Sequence, residues 1–254
     1  MKGYLPYLLT TTATAWKREV STYFATPLAY IFLAIFLLSV GLFTWDISGF
    51  FEAGTADLNA FFGWHPWLYI FFMPALAMRL WSDEKLLGTI ELLNSLPVSL
   101  SGLVAGKLLA AWTVAGAGLV MTLPWWIIVN YLGDTDNGVI AVSYLMSWMM
   151  AGAFLGIGST VSALTSSSAI AFVLSVAASF LITAAGWPIL SVNIDSVFGP
   201  TLSEIVSQFS FMTHFSPAQR GVVELRNIIF FVSFIGLSIF ATRLLIEYRR
   251  RVPK

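Results

Sequence analysis

Residues 27–45 read PLAYIFLAIFLLSVGLFTW, a stretch of 19 residues with no acid or base. Hydrocarbon offers no partner for backbone N–H and C=O groups, so a chain that enters it must satisfy them internally as a helix or closed barrel. About 20 apolar residues suffice to cross as a helix. Five more predominantly apolar runs follow, at roughly 64–81, 104–131, 139–163, 169–190 and 227–246. The pattern predicts an all-α integral membrane protein, one transmembrane domain over residues 1–254 with six crossings. Charge content agrees: 10% of residues are Asp, Glu, Lys or Arg, against about 25% in soluble domains. The first run exceeds the 7–15-residue apolar region of a secretory signal and reads as a retained crossing.

The charges give an expected orientation. With both termini in the cytoplasm, the inner segments hold Lys2, Lys17, Arg18, Arg79, Lys85, Lys107, Arg243, Arg249, Arg250, Arg251 and Lys254. The outer ones hold only Arg220 and Arg226, beside acids such as Asp46, Asp57, Asp136 and Glu224. Lysine and arginine near crossing ends favour the cytoplasmic side. Ahead of the first crossing, Leu9, Trp16, Val20 and Tyr23 share one side of a helix over residues 7–24. Such a helix either lies in the membrane interface or packs on the bundle.

Between the second and third runs stands RLWSDEKLLGTIELLNSLPVS, residues 79–99. Ser82 is placed to cap a helix whose first turn carries Asp83 and Glu84. Leu86, Ile90 and Leu93 make an apolar stripe, with Glu84, Gly88 and Glu91 on the opposite side. Pro97 ends it. The expectation is a helix over 82–97 with its apolar face toward the membrane base and its acidic face outward. It serves either as a solvated connection or as a peg for a cytoplasmic partner.

The longer string RLWSDEKLLGTIELLNSLPVSLSGLVAGK resembles the signature of type-2 ABC exporter permeases: an Arg, an acidic pair, Gly-Thr-Ile-Glu, Leu, Pro and Gly-Lys. HFSPAQRGVVELRNIIFFVSFI, residues 214–235, is similar to the gliding-motility and multidrug-type subgroup. After the Arg, Ser-Asp-Glu-Lys replaces the family's usual cluster. The resemblance implies a bacterial inner-membrane permease subunit that pairs with a second copy of itself. Residues 82–97 would be a coupling helix seated in a separate ATPase chain, two of which bind ATP and magnesium. Glu84, Gly88, Thr89, Glu91 and Pro97 would make that contact, and Arg79 and Lys107 would anchor the helix at the membrane surface. In related permeases, short helices in the segment corresponding to 191–226 act as an outer gate. Here that points to Phe209, Phe211, Arg220 and Gly221, although a plain surface cap fits equally. Arg220 and Glu224, at i and i+4, are spaced to pair on a helix.

Catalytic and cofactor signals are absent from the sequence. SGLVAGKLL fails as a phosphate loop, because its glycines are one position too close and Leu108 replaces the Ser or Thr that reaches magnesium. GAFLGIG, residues 152–158, lies inside a crossing, where Gly152 and Gly156 suit close helix packing. The lack of cysteine excludes thiolate chemistry. His65 and His214 read as interfacial residues, and nucleic acid is not an expected partner. No acid or base falls in mid-crossing, where ion-driven carriers place theirs, so driving force must come from outside the span region. Hydroxyls such as Thr113, Ser147, Ser159 and Thr160 read as glue between helices. The expectation is a non-enzymatic permease subunit of an ATP-driven exporter. The alternative is a mechanical transmitter that drives an auxiliary extracytoplasmic subunit, with nothing crossing the bilayer. A stand-alone channel or membrane enzyme is disfavoured.

Overall fold

A computed structural model describes residues 4–54, 56–89 and 98–251. Helices α1 (Tyr4–Ala25), α2 (Pro27–Leu42), α3 (Phe50–Ala53), α4 (Asn59–Ala77) and α5 (Arg79–Leu86) form the first half. The second half holds α6 (Leu100–Met121), α7 (Leu123–Leu132), α8 (Asn137–Ser162), α9 (Ser168–Ala184), α10 (Pro188–Phe198), α11 (Pro200–Gln208), α12 (Phe211–Phe215) and α13 (Leu225–Arg251). No strand occurs among the described residues.

Four stretches are long and apolar enough to cross a membrane: Ala29–Ile47, Leu100–Leu132, Asn137–Ser162 and Leu225–Tyr248. A fifth arises if α9 and Pro188–Ser196, bent by 72° at Gly186 and Trp187, count as one crossing. The second expected run, 64–81, does not qualify. Its helix, α4, carries His65, Pro66, Pro74 and two tryptophans, and eleven of its 19 residues are buried. A helix enclosed by its neighbours meets little lipid, so packing rather than apolarity selects its side chains.

Helix α8 is the hub, with 67% of its apolar window buried against 22% for peripheral α13. It packs on α4, α6, α9 and α13. Small residues permit this, as the sequence predicts: a β-carbon on Gly156 would lie 2.7 Å from Ser238 Oγ, and one on Gly152 2.7 Å from the Trp112 ring. Helix α1 does not stand apart from the bundle. It lies directly against α6, where a β-carbon on Gly106 would sit 2.6 Å from the Thr12 carbonyl.

Hydroxyls act mostly within and between helices. Thr113 and Thr183 donate to carbonyls of their own helices. The Ser147 hydroxyl joins Tyr69 at 2.7 Å to His65 at 3.1 Å. His65 and His214 are both buried in the bundle. His65 stacks on Tyr69, and His214 stacks on Phe230 with Asn227 at 2.7 Å.

Candidate functional site

The expected coupling segment begins earlier and turns the other way. Met78 interrupts the helical ladder between α4 and α5 because a neighbouring side chain enters it. Ser162 of α8 accepts hydrogen bonds from the backbone N–H groups of Trp81 and Ser82, each at 3.1 Å, and donates to the Met78 carbonyl at 2.8 Å. Ser82 is therefore no cap. It lies inside α5, buried, and its own hydroxyl donates to Met78 at 2.6 Å. Trp81 adds a bond from its indole N–H to Ser159 at 3.1 Å, and the Lys85 ammonium donates to the Ala163 carbonyl.

The helix then stops. Gly88 adopts φ 69°, in the left-handed region that an L side chain resists. A single helix over 82–97 is thus broken at Gly88, where the glycine's conformational freedom outweighs the apolar periodicity that suggested continuation. Thr89 Oγ1 donates back to the Glu84 carbonyl at 3.2 Å. Glu91 and Pro97 lie outside the described residues.

Glu84 points into the bundle, the reverse of the expected acidic outer face. Its carboxylate meets Lys107 of α6 at 2.8 Å and Arg18 of α1 at 3.7 Å. Lys107 also meets Glu19 at 3.1 Å, donates to the Leu80 carbonyl at 3.0 Å, and lies 5.1 Å from the Trp81 ring centre. Arg18 reaches Glu19 at 2.8 Å. Two acids and two bases thus form a neutral quartet joining α1, α5 and α6. With Lys107 only 3% exposed, it is the centre of this quartet rather than a surface anchor. Two carboxylates, a carbonyl and an aromatic face compensate its lost hydration.

Burial acts to raise the Glu19 pKa, but the Lys107 charge and hydrogen bonds from Arg18 and Lys107 outweigh it, so the group lies below its ordinary value. Burial also raises the Tyr23 phenol, whose hydroxyl donates to the Leu76 carbonyl at 2.8 Å. Arg79 pairs within α5, with Asp83 at 2.6 Å.

The outward tip of α5 is apolar. Leu86 is 72% exposed and Leu87 74%, although the sequence assigns Leu86 to the face turned inward. Sequence reasoning also missed Arg18, Glu19 and Ser162. One signal existed: Glu19 is the single acid in the first 26 residues, beside Lys17 and Arg18.

The outer candidates do not converge. Phe209 is exposed, whereas Phe211 is buried with ring centres 4.8 Å from Phe154 and 4.9 Å from Phe234. Arg220 ends a short 3-10 turn, Ala218–Arg220, and Gly221 follows at φ 74°. That turn removes the helical register an Arg220–Glu224 pair requires. Glu224 instead pairs with Arg226 at 3.3 Å.

Compared with known proteins, the chain matches no family model and no curated protein at a significant level.

Proposed function

We propose that this chain is the membrane-spanning subunit of an ATP-driven ABC-type transporter, paired with a second copy and driven by separate ATPase chains that press on the segment around α5. In this reading α4 is a sixth, protein-enclosed crossing, both termini face the cytoplasm, and the membrane is the bacterial inner membrane. ATP and magnesium belong to the ATPase chains.

One observation carries the proposal: α5 is fastened to three other helices at once. The quartet ties it to α1 and α6, and Ser162 and Ala163 tie it to α8. A force applied at its tip is delivered to the hub of the bundle. The exposed Leu86 and Leu87 offer that tip an apolar contact, and the cores of interfaces are depleted of charged residues.

The test uses the natural lack of cysteine. Leu87→Cys gives a single reactive thiol, and a membrane-impermeant maleimide added to intact cells should leave it unlabelled. Leu86→Asp with Leu87→Asp should lower ATP hydrolysis by the reconstituted complex at least about tenfold while the chain stays monodisperse. Labelling from outside the cell, or unchanged hydrolysis, sinks the proposal.

A second reading is mechanical transmission to an extracytoplasmic subunit. It draws support from the α10–α11 hairpin, which exposes Ile189, Val192, Leu202 and Ile205 and in which α11 has no buried residue. ATP-dependent flux into vesicles separates the two: transport requires it, and transmission proceeds without it.

A further inference from the structure

At the end of the bundle opposite the quartet, three connections meet around a cavity of about 220 Å3. They are the approach to α4, the start of α8 and the 3-10 turn before Gly221. Leu58, Phe62 and Ile140 line it with apolar surface, while Asp57, Asp136 and Arg220 bring charge. The approach is close, since a β-carbon on Gly221 would lie 2.8 Å from Val139. Ser143 pins the turn by donating to the Ala218 carbonyl at 3.1 Å.

Each carboxylate uses one oxygen to hold a helix start. Asp57 Oδ1 accepts from the Asn59 N–H at 2.9 Å, and Asp136 Oδ1 accepts from Gly138 at 2.9 Å and Val139 at 3.3 Å. The second oxygen of each has no hydrogen-bond partner among the described residues. Arg220 forms no ion pair within 4.0 Å among them either. Thr135 Oγ1, also lining the cavity, is buried and lacks a partner. Charges of both signs therefore share one recess without neutralising each other, next to an unsatisfied buried hydroxyl, which native structures rarely leave.

We propose that this cavity binds a small zwitterion: an ammonium held by Asp57 and Asp136, and an anionic group held by Arg220, joined by a short carbon chain that rests on Phe62 and Ile140. A lone divalent cation is a poor fit, because two carboxylates fall short of the six or more oxygens calcium takes and the guanidinium opposes it. Drug-sized ligands occupy about 300–1,000 Å3, so the volume selects something smaller. A phosphoethanolamine unit has this chemistry, either free or as the headgroup of a phospholipid. The site rests on this geometry alone and stands or falls separately from the ATP-driven reading.

The experiment measures binding of O-phosphoethanolamine to the full chain in detergent by calorimetry, with glycerol 3-phosphate and ethanolamine as probes that each lack one charge. In parallel, native mass spectrometry reads the lipids retained from nanodiscs of mixed phosphatidylethanolamine and phosphatidylglycerol. Asp57→Asn and Asp136→Asn keep the helix caps, since Asn caps as well as Asp, and remove only the charge. Arg220→Gln removes the other pole. Wild type should bind phosphoethanolamine at least about tenfold more tightly than either single-charge probe, and each variant should lose about tenfold. Binding of the soluble probe without lipid enrichment assigns a free zwitterion. Enrichment of phosphatidylethanolamine that the Asn variants abolish assigns a headgroup. Failure of both, or binding unchanged by the charge variants, overturns the proposal.

Discussion

At one end of the bundle, its base, four charges close on one another, whereas at the opposite end three charges share a recess without meeting. Both ends bring acids and bases together, and they lie toward opposite termini of α4 and α8. The difference is what surrounds them. Lys107 has two counter-charges, a carbonyl and an aromatic face around it, so its charge is compensated and the cluster fixes helix positions, although Glu84 Oε2 is buried without a hydrogen-bond partner among the described residues. Around Arg220 the acids are already committed to capping helix starts, so their remaining capacity is turned outward.

The largest expected effect tests the first half of that contrast. Lys107→Met leaves Glu19 and Glu84, both partly buried, with only the exposed Arg18 as counter-charge, and the loss should approach the ~3–5 kcal/mol of breaking a buried pair. Thermal unfolding in detergent should show it, and adding Glu84→Gln to the same chain should restore part of the loss. If Lys107→Met unfolds like wild type, the quartet is not a structural fastening.

Next in size is Ser162→Ala, which orphans the Trp81 and Ser82 N–H groups and should cost about 1–3 kcal/mol. Its signature is local: hydrogen exchange should accelerate over 79–86 and not at the start of α8.

Acid should probe the same fastening. Because Glu19 titrates below its ordinary value of 4.5 when folded, its contribution is complete above about pH 4.5 and disappears as pH falls through the lower folded value. Glu19→Gln should flatten that part of the stability-versus-pH curve, and a curve of unchanged shape would remove Glu19 from the account.

The smallest effect belongs to the opposite end. Arg220→Gln should move stability by no more than about 0.5 kcal/mol, as an exposed charge with no ion pair among the described residues does. A loss as large as that of Lys107→Met would erase the distinction between the two ends.

Much of this architecture was legible in the residues. Long apolar runs announced the helices, and Gly152 and Gly156 announced the closeness of α8 to its neighbours. The segments expected on one side do gather at one end: Arg18, Glu84 and Lys107 meet at the base, and Asp57, Asp136 and Arg220 meet at the other. What periodicity could not supply was rotation. Glu84 and Leu86 sit on different sides of α5 in either reading, but which side turns inward depends on Lys107, 23 positions later, and on Arg18, 66 positions earlier. Local pattern assumes that apolar faces turn inward, and a buried counter-charge reverses the assumption. The same limit applies to α4, whose mixed composition reflects enclosure by other helices, which no window along the chain records. Gly88 is the converse case: a single residue's backbone freedom outweighed a periodicity that ran past it.

The neutrality of the quartet has an electrical consequence. Carrying one unit charge through a full membrane potential involves about 2.3 kcal/mol per 100 mV. Arg18, Glu19, Glu84 and Lys107 sum to zero, so displacing them together through such a field does no net electrical work. A quartet that shifts as one body is indifferent to voltage, and only separating its members would make it a sensor.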